Sequence, residues 1–267
     1  MNQIQQSLRP LTLKEGSIEV SVLVSANIWG FAEQLKEEFP TIENTENLSE
    51  IELAASFLEF TSDRASKEQA YSPVAKALYV NFNNLYLKDN NIHAIIKDFP
   101  LNAKKSVIKS YYSSLAQLQK NGALSARDLE PTKSALFEAA KSGDAKLFAI
   151  FGGQGNIEEY FDELVDIWET YKGIVKPFIR RMAIVLAGYA HCSESKALHS
   201  KGLNILHWLD NADVRPDNQY LISAPVSFPL IGLTQLLHYY VMLHVLGRNP
   251  AEIRDLLQGS FIKLNNL

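Results

Sequence analysis

Residues 222–247 contain no Asp, Glu, Lys or Arg. A stretch of that length without charge belongs either in lipid or in the interior of a protein. Pro225, Pro229, Gly232, Thr234, Gln235, His238 and His244 all fall inside the window. Several of these are costly in a bilayer, whereas a helix surrounded by protein tolerates them once their polar atoms are matched. The segment therefore predicts a buried helix over 229–246, and with it a core large enough to receive one. At 267 residues with 46% hydrophobic content, the chain has the material for such a core.

The charge balance narrows the class further. Twenty-six Lys and Arg against 30 Asp and Glu leave a net charge of -4, which gives no general attraction to nucleic acid or to acidic membranes. The basic doublets Lys104-Lys105 and Arg180-Arg181 read as solvated helix faces. Cys192 is the sole cysteine, so no internal disulfide forms. The first residues, MNQIQQSLRPL, carry neither an apolar signal core nor an Arg- and Ser-rich presequence. A reducing compartment, the cytosol, is the expected location.

Local signals then divide the chain. Ile18 to Val24 alternates and predicts a short strand after a polar start. Ile28, Phe31, Leu35 and Phe39 recur at helical spacing until Pro40. Residues 41–48 form a polar loop. Ser49 and Glu52 make a capping box for the helix carrying Ile51, Ala54, Ala55 and Leu58. Ser72-Pro73 starts another helix, with proline where its missing N–H is harmless. Val107, Tyr111, Leu115 and Leu118 line a further helix that ends at Asn121-Gly122. Residues 1–143 thus read as a helical region, and 144–267 as a second domain of α/β type. The fold class expected is α/β, predominantly helical.

In the second domain, Leu147 to Phe151 is a continuous apolar run, the pattern of a strand covered on both faces. It enters Gly152-Gly153-Gln154-Gly155-Asn156, and a helix follows with Tyr160, Phe161, Leu164, Ile167, Trp168 and Tyr171 on one stripe. Position 158 is Glu, so the dinucleotide fingerprint is incomplete, and the GK[ST] ending of a phosphate-binding loop is absent. Two readings stay open on spacing alone: a backbone amide poised for an oxyanion, or a tight strand-to-helix turn, which spacing favours. The carboxylates of EEYFDELVDIWE lie opposite the aromatic stripe and read as a solvated face. His191, His199 and His207 are eight residues apart, too wide for the usual helical zinc pair, and read as scattered polar or core residues. His238 and His244 are six apart and read as core or pocket-edge residues. No Gly-x-Ser-x-Gly elbow occurs.

Longer stretches resemble a known family. LFAIFGGQGNIEEYFDEL (147–164), the segment KGLNILHWLDNADVRPDNQYLISAPVSFPLIGLTQLLHYYVMLHVLG (201–247) and NPAEIRDLLQG (249–259) resemble the N-terminal starter acyltransferase domain of the fungal-type fatty acid synthase β subunit. RPLTLKEGSIEVSVLV (9–24), FNNLYLKDNNIHAI (82–95) and SALFEAAKSGDAKLFAIFGGQG (134–155) extend the likeness over the preceding region. The resemblance implies transfer of an acetyl group from coenzyme A to a serine and then to the phosphopantetheine thiol of an acyl carrier protein. Each step passes through a tetrahedral oxyanion. By the motif, Gln154 would supply a backbone amide to that oxyanion. Gly152, Gly153 and Gly155 would let the backbone approach the acyl group.

The same resemblance implies partners: the remainder of a β chain, an α subunit and its carrier protein. It implies no resident cofactor, since the FMN and NADPH of such assemblies belong to other domains, and neither nucleic acid nor membrane. The sequence departs from the family after Gly259. Where the pattern places a GHSQG elbow it reads Ser260-Phe261-Ile262-Lys263-Leu264, with Leu264 at the serine position, and the family's distal histidine has no counterpart. The expectation is an acyltransferase domain cut before its nucleophile, in a chain that does not turn over alone. A non-catalytic truncated paralogue used for interaction or assembly, and a starter acyltransferase of a polyketide pathway, are the alternatives.

Overall fold

A computed structural model describes residues 7–42, 48–88, 90–124, 135–146 and 159–245. The chain divides into two compact units, Met1–Glu130 and Pro131–Leu267. Its described part is predominantly helical, with one two-stranded sheet.

The first unit opens with that sheet. β1 (Leu8–Glu15) and β2 (Ile18–Ser25) pair antiparallel, Glu15 opposite Ile18. The strand predicted over 18–24 is β2. Its partner lay in what the sequence presents as a polar start, because only Leu11 and Leu13 of β1 reach the core. Gly16 sits at φ 58° in the two-residue turn, the left-handed geometry a tight hairpin asks of its first residue. Leu11, Leu13, Val20, Val22 and Val24 form the buried face, while Thr12 and Ser21 bond across the outer one at 2.9 Å.

Pro10 pairs with Leu23. Counting back from the turn, this pair exchanges no ladder bonds, so proline's missing N–H costs nothing there. Leu23 instead meets Asn81: its N–H donates to Asn81 Oδ1 at 3.0 Å, and Asn81 Nδ2 donates to its carbonyl at 2.8 Å. One amide side chain thereby closes a position on the open sheet edge.

Helices α1 (Trp29–Glu38), α2 (Glu50–Lys67), α3 (Ser72–Phe82), α4 (Ile92–Ile95) and α5 (Leu101–Lys120) complete the unit. The capping box is present: Ser49 N–H donates to Glu52 Oε2 at 3.0 Å, and Glu52 N–H to Ser49 Oγ at 3.4 Å. Pro73 lies in the first turn of α3, but Ser72 is already helical and its hydroxyl accepts from Asn121 at 3.3 Å rather than capping. α5 ends at Asn121-Gly122, where Gly122 at φ 73° lets the chain reverse and donate back to Leu118.

The second unit holds α6 (Ala135–Ser142), α7 (Tyr160–His191), α8 (Ile205–Asp210), α9 (Asn218–Leu221) and α10 (Ala224–Val245). The predicted strand 147–151 lies outside the described residues. α7 runs for 32 residues and leaves helical geometry at Tyr171 (φ -116°, ψ 21°). Pro177 is the cause within reach, since it denies the Gly173 carbonyl its donor and its ring crowds the turn before it. α10 crosses this bend: His238 meets Glu163 before the bend, and Tyr240 stacks on Phe178 after it, with ring centroids 5.0 Å apart.

Within the charge-free segment Ala224–Val245 is helical, and the described part of the predicted span 229–246 lies in it, but the helix is not covered on all sides. Val226, Leu230, Leu233, Leu237 and Val241 are buried, whereas Phe228, Leu236 and Met242 face outward. By length and composition alone, α10 is the one described helix able to cross a membrane, and half of its apolar window is buried within the fold.

Candidate functional site

In sequence, α7 is the first described element after Gly152, Gly153, Gln154 and Gly155. Those four residues themselves lie outside the described residues. The aromatic stripe behaves as its spacing predicts. Tyr160, Phe161, Leu164, Ile167 and Trp168 are buried, while Asp162, Glu163, Asp166 and Glu169 stand exposed opposite them. Tyr171, predicted on the same stripe, is only half-buried because the helix bends at that residue.

Several bonds fix the start of α7. Tyr160 is buried, and its hydroxyl donates to the Leu221 carbonyl at 2.8 Å. Burial pushes that phenol well above its ordinary range, so it stays a donor at every working pH. Phe161 packs edge-on against Trp208, and Trp208 against Tyr220, with centroid distances of 6.5 and 6.4 Å. Arg215 donates from Nε to the Trp208 carbonyl at 2.8 Å and lies over the Phe161 ring. Tyr220 in turn donates to the Gly202 carbonyl at 2.8 Å, where Gly202 turns the chain at φ 68°.

A second set of contacts fixes α10. Ser223 N-terminal to it leaves its carbonyl to the amides of Val226 and Ser227. Pro229 lies inside the helix and brings no N–H to the Pro225 carbonyl. That carbonyl is met by the ring of buried His199, with Nε2 3.2 Å away, while Nδ1 lies 3.0 Å from the Ser195 carbonyl. His199 is thus a core histidine with a definite task, which the reading of scattered histidines did not specify. His238 and Glu163 approach to 2.7 Å with both side chains about half exposed, tying α10 to the first turn of α7.

Among the described residues, no group of three or more His, Cys, Asp or Glu is placed to hold a metal ion. Cys192 is exposed, and a hydrogen bond with Ser195 at 3.0 Å lowers its thiol below the ordinary value. The arrangement around α7 is a scaffold. Trp208 and Arg215 hold Phe161 at the start of α7, and Tyr220, bonded to the Gly202 carbonyl, braces Trp208 in turn, all from the 201–247 stretch that carries the resemblance.

Comparison with known proteins covers that stretch and most of the chain besides. Residues 7–118 match the family model described as the N-terminal domain in fatty acid synthase subunit beta. Residues 149–258, which include Gln154, match the model described as starter unit:ACP transacylase in aflatoxin biosynthesis. The chain is 37% identical over 95% of its length to the fatty acid synthase subunit beta of Saccharomyces cerevisiae, covering 13% of that protein. It is 34% identical over 94% of its length to the subunit beta of Schizosaccharomyces pombe, covering 12%. To the fatty acid synthase beta subunit TOXC of Cochliobolus carbonum the figures are 32%, 97% and 13%.

The chain belongs to the fungal-type fatty acid synthase β family and matches the N-terminal portion of its members. It spans about one-eighth of the length of these relatives, which are large proteins.

Proposed function

We propose that this chain supplies the entry half of the starter acyltransferase of a fatty acid synthase β subunit, with Gln154 as an oxyanion donor. The single observation that carries the reading is the transacylase match over 149–258, which encloses Gly152-Gly153-Gln154-Gly155. In the complete reaction a serine hydroxyl attacks the thioester carbonyl of acetyl-CoA and the coenzyme A thiol leaves. The thiol of an acyl carrier protein then attacks the seryl ester and regenerates the serine. Both attacks put negative charge on the acyl oxygen, and a fixed backbone N–H stabilises it without reorganising. The family's β chain, an α subunit bearing the carrier protein, and a reducing cytosol are the setting, with acetyl-CoA as substrate and no resident cofactor.

A polypeptide of these 267 residues contains no Gly-x-Ser-x-Gly sequence. Incubated with acetyl-CoA, it is expected to show no stoichiometric gain of an acetyl group by intact-mass spectrometry. An adduct on Ser260 would place the nucleophile where the family pattern does not.

The direct test is a chimera in which residues 7–258 replace the matching region of a complete β subunit. Acetyl transfer to carrier protein near the parent rate supports the reading; a folded, assembled chimera without transfer overturns it. A starter transferase of polyketide type is the second reading, favoured by the aflatoxin description of the matching model. The β-subunit match over 7–118 supports the first. A panel of straight-chain acyl-CoA thioesters separates the two, since preference for acetyl-CoA goes with fatty acid synthesis and preference for a longer chain with the alternative.

A further inference from the structure

α10 carries no Asp, Glu, Lys or Arg on any side. A helix of that kind belongs inside a larger core or in a bilayer, because no face of it suits water. The described fold covers one side only, the side of Val226, Leu230, Leu233, Leu237 and Val241. Opposite them Phe228, Gly232, Gln235, Tyr239 and Met242 recur at spacings of four, three, four and three. Those spacings keep the five positions on one face of a helix.

This outer stripe is uncharged and open. Phe228 is 46% exposed, Met242 42% and Leu236, on its flank, 44%. From Phe228 to Met242 it runs about 21 Å. At its middle, a side chain on Gly232 would meet nothing within 4 Å of its Cβ. Glycine weakens a helix interior relative to alanine, and no described contact uses the room it leaves. An apolar stripe with a notch at its centre is shaped for close approach by another apolar surface.

We propose that this stripe seats the remainder of the transacylase domain. An uncharged apolar face from the part of a β chain that follows the 149–258 match closes over Phe228, the notch at Gly232 and Met242. The assignment rests on the reading of 149–258 as one part of a starter acyltransferase. Two observations select this occupant. The chain covers 12–13% of the β subunits it matches, so most of a β chain lies outside it. The stripe offers no charged side chain, so its partner matches it by apolar area alone. A bilayer is the competing occupant. His238, beside the stripe and about two-thirds of the way along α10, pairs with Glu163 at 2.7 Å, and a membrane spanned by α10 would carry that pair to hydrocarbon depth, where ionisable groups are costly.

Hydroxyl-radical labelling of Met242 in the chimera and in the isolated 267-residue chain tests this. In the chimera Met242 should pass from 42% exposed to a core side chain and label roughly fivefold less. Gly232→Trp should not lower the urea midpoint of the isolated chain, where room surrounds the position, yet should abolish protection of Met242 in the chimera. Tryptophan at the aligned position of the parent β subunit should cut recovery of assembled subunit severalfold, a readout independent of whether the chimera folds. Equal labelling of Met242 in an assembled chimera and in the isolated chain overturns the proposal, as does full recovery of the tryptophan-bearing parent. Protection of the isolated chain that rises with its concentration, with none added in the chimera, overturns it in favour of a second copy. Protection given only by phosphatidylcholine vesicles overturns it in favour of a membrane. Acetyl transfer is read separately. A chimera that transfers acetyl with Met242 still labelled removes this face and leaves the function standing, and one that shields Met242 without transferring does the reverse.

Discussion

Tyr160 joins the helix after the glycine turn to the chain entering α10 through one hydroxyl, donated to the Leu221 carbonyl at 2.8 Å inside the core. Tyr160→Phe keeps the ring and strands that buried carbonyl, so it should lower stability by about 1–3 kcal/mol, read as a fall in the urea midpoint. No change in midpoint would mean the carbonyl finds another partner. His93 offers a pH counterpart. Burial holds its ring below the ordinary value of 6.5, so the unfolded chain takes up the proton first. Stability should therefore fall as pH drops below about 6.5 and level off only once the folded His93 is charged as well. His93→Phe should flatten that part of the profile, measured by urea unfolding between pH 7.5 and 5. At this scale the sequence was a good guide where a motif forces geometry, as with Ser49 and Glu52. It was silent on Asn81, Tyr160 and His199, because each bonds a backbone group far away in the chain, and no local pattern encodes that partner.

Helix α10 shows how an element compensates a broken local rule. Pro229 leaves the Pro225 carbonyl without an intrahelical donor, and His199 fills the gap from 26 residues earlier. His199→Leu should cost about 1–3 kcal/mol in the parent chain. In a Pro229→Ala background the new alanine supplies the missing N–H, so the same substitution should cost less; a double-mutant cycle measures the difference. Equal losses in both backgrounds would remove this link. The composition of 222–247 made the helix legible and misjudged its setting. Lack of charge is required for a helix covered on all sides, but it does not guarantee one, and Phe228, Leu236 and Met242 remain outside. β1 escaped notice for the opposite reason, since a strand with two core residues carries too little periodicity without its partner.

Across the whole molecule, the first unit contains its own buried core, from Leu11 and Val24 of the hairpin through Phe57, Leu58 and Val74 to Val107 and Leu118. A polypeptide of residues 7–124 should therefore unfold cooperatively in urea, with coincident transitions by circular dichroism and tyrosine fluorescence. A gradual, non-coincident loss would show that this unit needs the rest of the chain. The family resemblance was legible because it spreads over many short segments in order, which two family models and several relatives then matched. The role of the glycine turn was not legible from its spacing, which suits a simple turn equally well. The deciding measurement is acetyl transfer by the full-length chimera carrying Gly155→Val, with its melting temperature recorded alongside. If Gln154 donates its backbone N–H to the oxyanion, a side chain at position 155 should cut the rate by roughly 10²–10³ at near-parent stability, while Gln154→Ala, which keeps the N–H, costs much less. A Gly155→Val chimera that folds normally and transfers acetyl at the parent rate would contradict the account.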